Sequence, residues 1–140
     1  SFPKVIPTVD IVPIDEKDRI LLCRKYDESK WRFIGGFIKN SDLSAELAAK
    51  RIFKNKVGIN SEGDDYRYIG SYQIPDWRFR GEEDKIMTTF FTCRHLWGSI
   101  NPTGDIAELK FFNLSELSSE MFMSDHLILF NSFVEKYKKI

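Results

Sequence analysis

The chain has 140 residues, enough for one domain with a real core and too few for two. Its 42% hydrophobic and 30% charged content is the balance of a soluble globular protein, not of a disordered or membrane-embedded chain. Lysine and arginine (21) cancel aspartate and glutamate (21), so no global field recruits nucleic acid, although a local basic patch stays open.

A first strand is predicted over 5–14, where Val9, Ile11 and Pro13 alternate with Thr8, Asp10 and Val12. The charged turn DEKDR (15–19) leads into a second strand, ILLCRKY, and the pair reads as a hairpin. WRFIGGFI (31–38) follows, with two glycines that open backbone angles closed to other residues. Ala45, Ala48, Ala49, Ile52 and Phe53 then recur at i, i+3, i+4, i+7 and i+8, one apolar stripe of a helix over about 43–57. Asp42 or Ser44 can cap its start and Gly58 can end it. DDYRYIGSYQI (64–74) and KIMTTFFTCRHLW (85–97) are strand-like, joined by the polar, aromatic and charged loop PDWRFRGEED (75–84). NPTGD (101–105) is a turn and LKFFNL (109–114) a short strand. Ser124-Asp125 can cap a last helix over about 124–138, carrying Leu127, Phe130, Phe133, Val134 and Tyr137. Strands interleaved with two helices predict a single-domain α/β (α+β) sandwich with a mixed sheet over residues 1–140.

Cys23 and Cys93 each sit in an apolar strand-like run, seventy positions apart, and form no metal or redox motif. Buried, reduced thiols are expected, as in a reducing cytoplasm. No apolar run approaches a membrane span and no signal-peptide pattern opens the sequence, so a cytoplasmic protein is the expectation. The first residue, Ser1, is read as a trimmed end or a tag remnant.

The stretch GGFIKNSDLSAELAAKRIFKNKVGI (35–59) resembles the signature of the Nudix family, G-x5-E-x7-R-E-U-x-E-E-x-G-U, with U aliphatic. The order of elements is similar too, over nearly the whole chain. GGF before the helix and GDIAELKFFNLSEL (104–117) resemble the members that act on ADP-ribose-like substrates. Anchored on Gly58 and Ile59, Arg51 falls on the motif arginine and Phe53 on its aliphatic position. The three helix acids fall on Ile52, Asn55 and Lys56. The first glutamate falls on Leu43 or Asp42, because the loop holds one extra residue, and the proline common before the glycine pair is Ile34. In the family, glutamates at i, i+3 and i+4 share one helix face and offer oxygen ligands to Mg²⁺, which neutralises a diphosphate and activates water. Here isoleucine has no ligand atom, asparagine a weak neutral one, and lysine a repelling charge. Between Asp42 and Ile59 two acids (Asp42, Glu46) face four bases (Lys50, Arg51, Lys54, Lys56). No metal is therefore expected on this face, and Mg²⁺ or Mn²⁺ enters only if displaced acids rebuild a site.

Each candidate has a plain alternative. Asp42 and Glu46 read as a cap and a solvated first turn, or as metal or base residues. Glu82, Glu83 and Asp84 read as a charged loop tip, or as the late-loop catalytic acids of some relatives. Trp77, Arg78 and Arg80 can stack a base and grip a diphosphate, or pin the loop. Trp31 and Phe33 read as core, and His95 and His126 as structural. Lys56 reads as a solvated helix-end cation, or as an ammonium in the place of the lost metal with Arg51 and Lys50 beside it. The resemblance implies a ligand-binding set of Gly35, Gly36, Arg51, Lys56, Trp77, Arg78 and Arg80. The expectation is a binding or regulatory module for a nucleoside diphosphate-X ligand such as ADP-ribose or a sugar nucleotide, with little hydrolysis. The alternatives are an active hydrolase built on Asp42, Glu46, Glu82, Glu83 and Asp84, and a protein-interaction domain. The expected partner is a small-molecule nucleotide, without membrane or nucleic acid, and a homodimer is open.

Overall fold

Residues Val5–Pro13 form the first strand, β1, and from Thr8 onward both of its faces are buried. The computed structural model describes residues 3–75 and 84–137. After β1 come β2 (Ile20–Lys25), β3 (Ile34–Phe37), α1 (Ala45–Val57), β4 (Ser61–Ile74), β5 (Lys85–Gly98), β6 (Ile106–Phe112) and α2 (Leu127–Tyr137). The main sheet runs β3-β1-β5-β4; β1 and β5 are parallel and the other pairs antiparallel, so the sheet is mixed. β2 and β6 form a separate antiparallel pair.

The alternation along β1 divides two cores rather than core from solvent. Val9 and Ile11 point with Leu21, Phe91 and Cys93 onto Ala48, Ala49, Ile52 and Phe53 of α1. Val12 and Ile14 point with Ile20, Leu22, Ile86 and Phe90 onto Leu129, Phe130 and Phe133 of α2. A sheet covered on both faces by helices is the predicted sandwich. Phe33 lies in the α2-side core, stacked on Phe122, and Trp31 meets Phe112 edge to face, as the sequence reading placed them. Both cysteines are buried free thiols, and burial pushes each up to about 12.

Two local expectations are corrected. β1 and β2 do not continue as a hairpin: beyond the Ile14–Ile20 bridge they enter different sheets. The turn is local, with Asp15 accepting from the Lys17 and Arg19 amides, but the ladders on either side are claimed by β3, β5 and β6. Nor do Ser124 and Asp125 cap the last helix. They lie in a 3-10 turn (Ser124–His126) without a side-chain cap, α2 starts at Leu127, and Asp125 turns to Arg32.

α1 starts two residues later than predicted, at Ala45. Its cap is Ser44, whose Oγ accepts the Leu47 amide at 3.0 Å. Gly58 ends it with φ 139°, an angle that leaves glycine unstrained, and donates to the Lys54 carbonyl at 3.1 Å. No helix among the described residues is long and apolar enough to cross a membrane.

Ser44→Ala removes the acceptor for one helix-end amide. It should cost about 1 kcal/mol in a urea titration and lower Tm by roughly 3 °C; an unchanged midpoint would show that the cap is idle.

Candidate functional site

β3 crosses so close to β1 that only glycine fits at its centre. A Cβ on Gly35 would lie 2.2 Å from Asp10 Oδ1 and 2.8 Å from the Val9 carbonyl oxygen. On the other face of the strand, a Cβ on Gly36 would meet Ile52 Cγ1 of α1 at 3.2 Å. Beside this glycine pair opens a cleft of about 380 Å³. It is lined by Gly35, Gly36 and Phe37 of β3, by Lys25, Lys56 and Asp105, and by Asp10, Phe33, Asp125 and His126. Ile74 and Ile86, which flank the 75–84 loop, also line it.

Its floor is a buried polar group. Thr88 Oγ1 donates to Asp10 Oδ2 at 2.6 Å, and His126 Nε2 lies 3.8 Å from Asp10 Oδ1. The His126 Nδ1 accepts the Phe33 amide at 3.0 Å, which leaves the ring proton of a neutral histidine on Nε2, facing Asp10. Burial pushes the Asp10 carboxyl up to about 7, against the downward pull of the Thr88 hydroxyl, Arg32 and Lys25; Asp125 adds to the rise. Thr8 Oγ1, also on the cleft wall, is buried with no hydrogen-bond partner among the described residues.

Three cations line the cleft among the described residues, and all are paired. Arg32 donates through Nε and Nη2 to Glu28 at 2.6 Å each and through Nη1 to Asp125 at 2.8 Å. Burial opposes its charge, and the two carboxylates more than restore it. Lys56 Nζ sits 2.7 Å from Asp105 Oδ1, and Lys25 Nζ 3.5 Å from Asp105 Oδ2. One carboxylate thus bridges two ammonium groups. Partial burial raises the Asp105 pKa, but the bond and charge of Lys56, with Lys25 behind, hold it below the usual range.

The sequence-picked residues separate into cleft and scaffold. Gly35, Gly36 and Lys56 line the cleft. Arg51 does not: its guanidinium holds Asp42 at 2.7 and 3.0 Å and the Phe37 carbonyl at 3.0 Å, clasping the loop before α1 to the end of β3. The Arg51 bonds, helped by the Lys39 amide, hold Asp42 down to about 2. Glu46 is exposed in the first turn of α1, where its charge favours the helix dipole. Lys50 is exposed as well, and Lys54 pairs with Glu62. Asp84 accepts the Lys4 amide at 2.8 Å and ties β5 to the start of the chain. Trp77, Arg78, Arg80, Glu82 and Glu83 lie outside the described residues.

The box face does not fit a divalent cation. Ile52 is 2% exposed beneath Gly36, Asn55 is exposed, and Lys56 carries a positive charge. Among the described residues no three acids, histidines or cysteines come close enough to hold a metal. Sequence reading did not place Asp10, Arg32, Asp105, Asp125 or His126 at a ligand site because their partners are distant: Thr88 is 78 positions from Asp10, and Asp125 is 93 from Arg32. A larger cavity, about 420 Å³, lies near the far ends of β1 and β5 by Phe53, Arg94, Trp97 and Phe111, and none of the residues singled out for ligand binding line it.

The NUDIX domain profile matches residues 4–132. The NUDIX domain of Shewanella oneidensis NrtR, solved in complex with ADP ribose, superposes with a TM-score of 0.75 at 20% identity, over 96% of this chain and 90% of that one. A MutT protein from Methanosarcina mazei Go1 gives 0.74 at 20% identity over 99% of both chains. A UDP-X diphosphatase gives 0.75 at 18% identity over 100% of this chain and 66% of its own. At these identities the likeness is one of fold. No curated protein matches the sequence.

The raised Asp10 pKa has a stability consequence. The folded state keeps the proton up to about pH 7, whereas an unfolded aspartate releases it near 3.8, so between these values the folded state binds more protons. Stability therefore falls as pH rises from 4 to 7, by roughly 4 kcal/mol at most. Asp10→Asn keeps an acceptor for Thr88 and cannot ionise. Urea titrations at pH 5 and pH 8 should show the wild type losing markedly more stability than the variant; equal losses would mean that Asp10 ionises as in water.

Proposed function

Since the chain belongs to the NUDIX domain family, we propose that it is a nucleotide-binding module for a nucleoside diphosphate joined to a second group, ADP-ribose or a sugar nucleotide, held without metal and with little or no hydrolysis. The observation that carries this is Lys56: where the family's box presents carboxylates to the cleft, this helix presents an ammonium, 2.7 Å from Asp105. An ammonium attracts a diphosphate directly, which is the electrostatic half of what a metal does there. The other half, activating water, needs a Lewis acid or base that the helix face does not offer.

The rest of the cleft supports a ligand site. The glycine pair lets backbone approach closely, and the buried Thr8 hydroxyl on the cleft lining has no hydrogen-bond partner among the described residues. The NrtR domain, of similar fold, was solved with ADP ribose, which makes that molecule the first probe. Of the acids that the hydrolase alternative needs, those among the described residues are Asp42, held by Arg51, Asp84, held by the Lys4 amide, and Glu46, exposed and not on the cleft lining.

Two unit charges about 4 Å apart interact by roughly 4 kcal/mol at an effective dielectric near 20. Lys56 is a quarter exposed, and solvent and salt reduce that to about 1–2 kcal/mol, or roughly tenfold in affinity. Calorimetry with ADP-ribose in EDTA should show wild-type binding, about tenfold weaker binding by Lys56→Met, and no strengthening with Mg²⁺. Chromatography of the same samples should show uncleaved ligand. Binding only with Mg²⁺, or steady turnover, would overturn the reading.

A further inference from the structure

We propose that Asp105 occupies the position that a ligand's phosphate takes, so that a nucleoside diphosphate binds by displacing the Asp105 carboxylate from Lys56 and Lys25; this rests on the binding reading above. Asp105 would then be an affinity- and charge-selecting residue of the cleft.

The argument begins with charge. The cleft's cations among the described residues are Lys25, Arg32 and Lys56, and each already has a carboxylate. An entering diphosphate must share or displace one of them. Arg32 is the hardest to free. Glu28 and Asp125 hold it through three bonds of 2.6–2.8 Å, and their side chains are 13% and 16% exposed. A carboxylate released there would stay largely buried and unpaired, which is costly.

Asp105 differs on each count. Its side chain is 49% exposed, and it makes one close contact and one long one, 2.7 and 3.5 Å. Released, it turns into water, where an unpaired carboxylate costs little. The turn that carries it is anchored separately: Asn101 donates its amide to the Val57 carbonyl at 2.7 Å, and the Thr103 hydroxyl donates to the Asn55 carbonyl. A side-chain rotation therefore suffices, with the backbone held on the end of α1.

The exchange also selects by charge. Asp105 contributes one negative charge to two lysines, and a diphosphate brings two or more. A neutral nucleoside has nothing to offer in exchange.

The test is calorimetry of the full chain with ADP-ribose in EDTA, on wild type, Asp105→Asn, Lys56→Met and the double variant, with thermal melts to confirm folding. Asp105→Asn should tighten binding by about fivefold. In the Lys56→Met background the same change should gain less than about twofold, since the main contact it frees is gone. Asp105→Ser serves as a second displacement variant should the asparagine protein melt at room temperature. Equal or weaker binding by both folded Asp105 variants, with Lys56→Met weakened, would overturn the exchange while leaving the binding reading intact. No binding by either wild type or Asp105 variants would overturn both.

Discussion

The contact between Gly36 and Ile52 sets the register on which the cleft depends. Because β3 has no side chain at Gly36, it lies directly on α1, and Ile52 fills the space beneath it at 2% exposure. Residues four apart share a helix face, so Ala48 is buried one turn before and Lys56 emerges one turn after, at the cleft wall. One apolar contact thus decides that a cation faces the cleft. A carboxylate at position 52 in this packing would be a charge buried under backbone, so the position is core.

Around that helix, the cleft is held by pairs of unequal strength. The Asp10–Thr88 pair is buried and the Arg32 triad largely so, and they bind together strands, the turn before β3 and the turn before α2. They pre-form the site. The Lys56–Asp105–Lys25 bridge lies at the rim, half in water, and gives way most easily. A site with a rigid floor and an exchangeable rim binds a charged ligand without refolding. Under the proposed function, that is the behaviour a binding module calls for.

What the sequence disclosed follows the range of the forces involved. The stripe of α1, its Ser44 cap and Gly58 terminus, and the mixed sheet between two helices were legible because periodicity and capping are local. Of positions 52, 55 and 56, which helix spacing groups together, only Lys56 lines the cleft; Ile52 is core and Asn55 is exposed. The hairpin reading of β1 and β2 failed, since turn chemistry at 15–19 says nothing of which distant strand claims each ladder. Asp125 was read as a cap because its partner Arg32 is invisible in spacing; His126 was read as structural, and no motif links it to Phe33 and Asp10. Arg51 matched a motif position, yet its role here is to clasp Asp42, which only geometry reveals.

The central claim, that a lysine does the anion-holding work of a lost metal, has a direct spectroscopic test. In protein labelled with ¹⁵N at lysine Nζ, the Lys56 signal can be assigned through Lys56→Met and followed during titration with ADP-ribose in EDTA. The account predicts that this signal shifts, saturating with ligand, while Lys54, paired with Glu62 on the outer face, stays still. A Lys56 signal unmoved by saturating ligand, or moved only after Mg²⁺ is added, would contradict it.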